Sequence, residues 1–172
     1  MFKAGEGAGK SGSFFFFSHD RKFTIKTMSK EELDLLLGML PTMSTHYKNN
    51  PDSLIAKIFG AFTVKTDSFS EVHLVLMENC LQLKNPDGDS LKYVFDLKGS
   101  MVGRKTKGKI TPSTTLKDIN FLMATKANPR FIGLSHSDKN KILQILWADL
   151  DFLARLNLMD YSLLLGIEKL DC

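Results

Sequence analysis

The sequence predicts an α+β fold in which an antiparallel sheet carries a packed helix on one face. Three observations predict it. Short runs rich in aromatic and β-branched residues recur at Ser13–Ser18, Lys22–Met28, Ile58–Val64, Val72–Met77 and Leu91–Leu97, the composition of strands. An apolar run at Leu33, Leu35, Leu36, Leu37 and Leu40 follows Ser29-Lys30-Glu31-Glu32, the opening of a helix with a capping box. Turn signals at His19-Asp20-Arg21, Asn49-Asn50-Pro51-Asp52 and Asn85-Pro86-Asp87-Gly88-Asp89 separate these segments.

Taken in order, the first two runs lie so close together that they read as a hairpin. The helix begins at Ser29, where Glu32 stands three residues on, and Pro41 marks its end or a break. Three further strands follow and extend the same antiparallel pattern. Beyond the basic stretch that starts at Lys98, Thr111 to Leu122 suggests a short capped helix. Ser137 to Leu156 is a long amphipathic helix, with Ile142, Ile145, Leu146, Phe152, Leu153 and Leu156 at helical spacing and Asp149 on or near that face. An apolar strand from Ser162 to Ile167 comes last.

At 172 residues the chain has the size of about one domain. Its 43% hydrophobic and 24% charged residues are ordinary for a soluble globular protein. No apolar run exceeds four residues, far below a membrane span, and no signal-peptide pattern opens the chain. Cys80 and Cys172 are the only cysteines, so neither a disulfide partner nor a zinc site is expected, and the cytosol is the default compartment. The net charge of +4 is unevenly spread. From Leu97 to Lys117 there are six basic residues, Lys98, Arg104, Lys105, Lys107, Lys109 and Lys117, and no acidic one. Such a block suits an anionic partner, or is simply a solvated basic loop. An RNA-binding module is disfavoured because aromatic-rich RNP motifs are absent, and no nucleic-acid partner is expected. Nothing in the sequence specifies an oligomeric state.

The glycines of Ala4-Gly5-Glu6-Gly7-Ala8-Gly9-Lys10-Ser11 allow two readings. A Walker A loop needs a buried strand before it and a helix opening at its Lys-Ser. Here three residues precede Ala4, and Gly12 and four phenylalanines follow Ser11, so both flanks speak against it. A glycine-rich turn between strands, lying over ATP as in kinases, makes its own demand. It needs a lysine on the next strand and a glutamate on the helix behind. Lys26 in Phe23-Thr24-Ile25-Lys26-Thr27-Met28 meets the first requirement, although an edge-strand lysine that aids solubility would look the same. Glu31 and Glu32 both stand where the partner should be, and Glu32 has a capping role as well.

Four stretches then carry a resemblance. Gly9–Glu32, Phe95–Lys105, Leu116–Leu122 and Leu153–Glu168 together resemble the phosphatidylinositol phosphate kinases, with Asp-Leu-Lys-Gly-Ser (96–100) and Met-Asp-Tyr-Ser-Leu-Leu (159–164) the most specific pair. The resemblance runs in the family's order from Gly9 to Ile167. It implies a kinase-like sheet lobe with a packed helix, at about 1–80, that binds ATP, and an incomplete C-terminal lobe, at about 81–172. It implies transfer of the ATP γ-phosphate to a hydroxyl of a phosphatidylinositol phosphate, at the cytosolic face of membranes.

By the same resemblance, Gly9, Lys10, Ser11, Gly12 and Ser13 would cover the ATP phosphates and Lys26 would be the ATP-binding lysine. Glu78, Asn79 and Cys80 would form the linker at adenine. Lys98 would lie on the phosphate side of the cleft, with Asp96 as an alternative structural partner for it. Asp160 would be the catalytic aspartate; without the motif it could be a turn or cap residue. The basic residues Arg104, Lys105 and Lys107 are expected at lipid phosphates or an anionic membrane surface. Position 165 is Leu, where a protein kinase would have Asn, which fits the lipid family instead. Glu168 stands where that family usually has His. The family's Mg²⁺-holding aspartate and activation loop are expected beyond Cys172, so the chain is expected to be either a fragment of a lipid kinase or a short module that binds ATP or anionic lipid without catalysis.

Overall fold

The computed structural model describes residues 3–6, 13–67, 69–81, 91–111 and 114–168. The chain divides into two compact units, 1–82 and 83–172.

The first unit is a five-stranded antiparallel sheet with one helix. Its strands are β1 (Lys3–Glu6), β2 (Phe14–Phe17), β3 (Phe23–Met28), β4 (Ile58–Thr66) and β5 (Phe69–Glu78), in the spatial order β1-β2-β3-β5-β4. The β2–β3 hairpin forms where the aromatic runs predict it. Its turn is tied by the Ser18 hydroxyl, which donates to Asp20 Oδ1 at 2.6 Å, while Lys22 N donates to the same oxygen at 3.1 Å. One expectation fails at the N-terminus: a four-residue strand, β1, precedes the glycine-rich segment and pairs antiparallel with β2, Glu6 opposite Phe14. Ala4 lies within that strand and a strand follows Ser13, so the Walker A geometry is excluded by backbone pairing.

Helix α1 (Lys30–Asn49) starts as its sequence predicts. The Ser29 hydroxyl accepts from Glu32 N at 3.2 Å, and Glu32 Oε2 accepts from Ser29 N at 2.8 Å, a reciprocal cap. Pro41 does not end it. The helix continues through Pro41 for eight more residues, because Leu33, Leu36, Met43 and His46 form one buried stripe across the interruption. Tyr47 near its end donates its hydroxyl to the Ala56 carbonyl at 2.9 Å, which fixes the return toward β4.

The second unit holds β6 (Leu91–Leu97), β7 (Thr115–Leu116), α2 (Asp118–Ala127), α3 (His136–Arg155) and β8 (Leu163–Glu168). Its sheet order is β7-β6-β8. Two expectations change here. Strand β6 does not extend the first sheet, and its pairing with β7 is parallel while that with β8 is antiparallel. Alternating residues mark a strand but do not name its partner. The core is aromatic: Phe95 is fully buried, and its ring stands edge-on to Phe121 and Phe131 at centroid distances of 5.3 and 6.0 Å. Helix α3 begins one residue earlier than its periodicity predicts, capped by the Ser135 hydroxyl accepting from Asp138 N at 3.0 Å. Asp149, placed by spacing at the edge of the apolar face, is buried at 4% exposure.

Candidate active site

In the first unit, Lys26 sits on β3, opposite Phe15 of β2 and Val75 of β5. β3 is therefore internal to the sheet, and the edge-strand explanation for this lysine does not apply. The Lys26 side chain is only partly exposed, so a counter-charge favours its ammonium. Glu32 supplies it: Lys26 Nζ lies 3.4 Å from Glu32 Oε1, with side-chain exposures of 26% and 43%. Glu32, not Glu31, is thus the partner, and it serves the cap with its other oxygen.

The linker at the end of β5 is built from the same sheet. Glu78 N donates to the Lys57 carbonyl at 2.8 Å and Asn79 N to the Lys22 carbonyl at 3.0 Å. The Asn79 side chain then closes an Asx turn, donating to the Arg21 carbonyl at 2.7 Å and accepting from Leu81 N at 3.1 Å. Cys80, within this turn, is exposed. Ser13 is described at the entry to β2, whereas Gly9, Lys10, Ser11 and Gly12 lie outside the described residues.

In the second unit, the two residues that the resemblance singles out come together. Lys98 follows the last residue of β6, and Asp160 sits in the turn between α3 and β8. Strand pairing aligns them: Leu97 is opposite Leu163, so the residues just past β6 and just before β8 emerge at the same end of the sheet. Lys98 Nζ donates to Asp160 Oδ1 in an ion pair. The Lys98 side chain is 26% exposed and that of Asp160 84% exposed, so the carboxylate faces solvent while the ammonium is partly covered. The Lys98 hydrogen bond, followed by its charge, holds the Asp160 carboxyl below the usual carboxylate value. Asp160 has φ 65°, a left-handed conformation that Asp tolerates better than most residues. Asp96, the alternative partner for Lys98, faces elsewhere.

Asp96 pairs instead with Arg104, whose Nη2 lies 3.0 Å from Asp96 Oδ2. Arg104 Nε lies 2.7 Å from Asp118 Oδ2, and the Arg104 side chain is only 12% exposed. The expectation placed Arg104 at lipid phosphates. Its guanidinium, which Asp118 and then Asp96 push further up from its ordinary value, is engaged by these two protein carboxylates. Lys105, Lys107 and Lys109 are exposed, as are Met101, Val102 and Ile110 on the same segment. Sequence reasoning missed Asp118 altogether; the signal was an acid directly after a basic block and inside the predicted helical stretch, whose helix in fact begins at Asp118.

Comparison with known proteins decides the family. The family described as Phosphatidylinositol-4-phosphate 5-Kinase matches residues 2–172. The chain belongs to that family. Among the relatives of this phosphatidylinositol phosphate kinase family member, a probable phosphatidylinositol phosphate kinase of Dictyostelium discoideum is 42% identical over 162 residues, covering 93% of the chain and 21% of that protein. Phosphatidylinositol 4-phosphate 5-kinase 7 of Arabidopsis thaliana is 39% identical over 166 residues, covering 93% of the chain and 20% of that protein. Phosphatidylinositol 4-phosphate 5-kinase its3 of Schizosaccharomyces pombe is 36% identical over 165 residues, covering 94% and 21%. The chain thus spans about a fifth of the length of these relatives. Among the described residues, no helix is long and apolar enough to cross a membrane.

Proposed function

We propose that this chain, a member of the phosphatidylinositol phosphate kinase family, takes part in transfer of the ATP γ-phosphate to a hydroxyl of a phosphatidylinositol phosphate. The observation that carries the proposal is the Lys98–Asp160 ion pair, which joins the two most specific motifs of the sequence at one end of a sheet. Phosphoryl transfer needs little covalent help and much positioning and charge neutralisation. Asp160, ionised and largely exposed, is suited to accept a hydrogen bond from the inositol hydroxyl and orient its oxygen for attack. Because Lys98 lowers its basicity, Asp160 acts mainly by orientation and takes the proton late. The hydroxyl oxygen forms a bond to the γ-phosphorus, the bond from that phosphorus to the bridging oxygen breaks, ADP leaves, and the proton passes to Asp160. Lys98 then balances charge on the transferring group.

Lys26, fixed by Glu32, is the cation for the ATP phosphates, with the Glu78–Cys80 linker at adenine and Gly9–Ser13 over the phosphates. Among the described residues, no three of His, Cys, Asp and Glu converge to hold a metal ion. The exposed Lys105 and Lys107, with Lys109, are the contact to lipid phosphates and an anionic membrane surface, where each lysine contributes about 1 kcal/mol.

The test compares the full chain with its Asp160→Asn variant for ADP release and lipid phosphorylation, using Mg·ATP and phosphatidylinositol phosphate vesicles. The expected result is turnover that the variant loses. Saturable ATP binding without lipid phosphorylation by the parent chain would overturn the catalytic reading and leave a nucleotide-binding module.

A further inference from the structure

Asp118 opens α2, yet its carboxylate does not serve its own helix alone. Oδ1 accepts from Lys98 N at 3.0 Å and from Gly99 N at 2.9 Å, across 20 and 19 residues of chain. Oδ2 accepts from Arg104 Nε at 2.7 Å. Arg104 extends the network by donating through Nη2 to the Asp96 carboxylate and to the Asp96 carbonyl. Asp118 is 7% exposed, and a carboxylate so buried persists in this position only because its lone pairs are filled by donors.

Two consecutive backbone N–H groups converging on one anion form a small nest. In many proteins such a nest takes a phosphate; here Asp118 occupies it. The N–H groups of Lys98 and Gly99 are therefore committed, and what this turn offers outward is the Lys98 ammonium. The turn has a second constraint at Gly99, whose φ of +68° lies where L residues are strained. Between them, the carboxylate and the glycine set the direction in which the Lys98 side chain leaves the end of β6.

We infer that Asp118 is a positioning residue: backed by Arg104, it fixes the backbone of Lys98 and Gly99 so that the Lys98 ammonium stays on Asp160. The catalytic meaning of this device rests on the phosphoryl-transfer reading above, but the device itself is a statement about where Lys98 points. Arg104 is part of it, because it neutralises the buried carboxylate and anchors it to the Asp96 end of the strand that Lys98 terminates. Thr106 N donates to Asn120 Oδ1 at 2.8 Å, and Ile119 N donates to the Arg104 carbonyl at 3.0 Å. The first turn of α2 thus holds the basic segment at several points, and Asp118 is the one that reaches the Lys98 turn.

The experiment follows the titration of the Asp160 carboxyl in the full chain by carbon-13 NMR, with Lys98→Met as the reference for an unpaired Asp160 and thermal unfolding recorded alongside. In Asp118→Ala the Asp160 titration is expected to move up to the Lys98→Met reference. In Asp118→Asn, whose side-chain carbonyl can still accept from both N–H groups, it is expected to stay closer to the parent although the protein melts earlier. An Asp118→Ala protein that melts earlier with Asp160 titrating as in the parent would overturn the inference, since a purely structural residue behaves so. Where Asp118→Ala does not fold, Asp118→Ser, whose shorter side chain cannot accept from both N–H groups, carries the test, and an unchanged Asp160 titration would equally overturn the inference. Lipid phosphorylation absent from the parent, with the Asp160 shift present in the variant, would sink the phosphoryl-transfer reading while upholding the positioning role.

Discussion

Glu32 serves Lys26 and the start of α1 with one carboxylate: Oε1 lies 3.4 Å from Lys26 Nζ while Oε2 accepts from Ser29 N at 2.8 Å. The two duties can be separated. Glu32→Gln keeps an acceptor for the Ser29 amide and loses the charge facing Lys26; Glu32→Ala loses both. Urea unfolding is expected to show a loss of about 0.3–1.5 kcal/mol for the alanine variant, the range for a capping element, and less for the glutamine variant. A fluorescent ATP analogue is expected to bind more weakly to both and normally to Glu31→Gln. Equal effects of Glu31→Gln and Glu32→Gln on nucleotide binding would remove Glu32 from its role.

Pro41 lies inside a 20-residue helix, where it cannot donate a backbone hydrogen bond and crowds the preceding turn. Pro41→Ala is therefore expected to raise the unfolding free energy by about 1–3 kcal/mol, read from the urea midpoint. A midpoint that stays or falls would mean that the interruption is required by the packing of Leu36 and Met43 on either side of it.

The basic segment divides by function. Arg104 lies between Asp96 and Asp118 with 12% of its side chain exposed, and Arg104→Met is expected to cost about 3–5 kcal/mol because it strands the buried Asp118 carboxylate. Lys105, Lys107 and Lys109 are exposed. Changing these three to Glu is expected to leave the unfolding midpoint near that of the parent and to abolish sedimentation with vesicles containing anionic lipid at low salt. Undiminished vesicle binding by that variant would show that the segment is merely solvated.

Asp118 also predicts an acid response. Burial alone would raise its pKa, but hydrogen bonds from Arg104, Lys98 N and Gly99 N outweigh burial and hold it below the ordinary value of 3.8. A carboxyl whose folded value is depressed contributes stability above its unfolded value and loses it as pH falls through the folded one. The melting temperature of the parent is therefore expected to drop more steeply than that of Asp118→Asn between about pH 5 and pH 2. Parallel curves would remove Asp118 from the acid transition.

Local features of this chain were legible in its sequence because their causes are local. The Ser29–Glu32 cap, the hairpin around His19 and the start of α3 each depend on residues within a few positions of one another. The kinship of Lys98 and Asp160 was legible only through two motifs; their contact depends on the pairing of β6 with β8, and strand alternation does not choose a partner. For the same reason β6 read as part of the first sheet. Arg104 looked available because no acid lies near it in sequence, yet Asp96 and Asp118 close on it from 8 and 14 residues away. Pro41 misled because a helix boundary was judged by one residue while the buried stripe of α1 ran past it. β1, four residues with no aromatic or β-branched side chain, was too short to signal itself; it pairs along its length with β2.

The left-handed backbone of Asp160 governs how its chemistry can be interrogated. At φ 65°, alanine or a β-branched residue would pull the turn toward negative φ and carry the side chain away from Lys98, whereas asparagine keeps the same local preference. A loss of turnover in an alanine variant would therefore mix the missing carboxylate with a rebuilt turn. A comparison with asparagine removes only the charge, and glycine, which accepts this backbone but carries no side chain, completes a series in which conformation is constant and chemistry alone is varied.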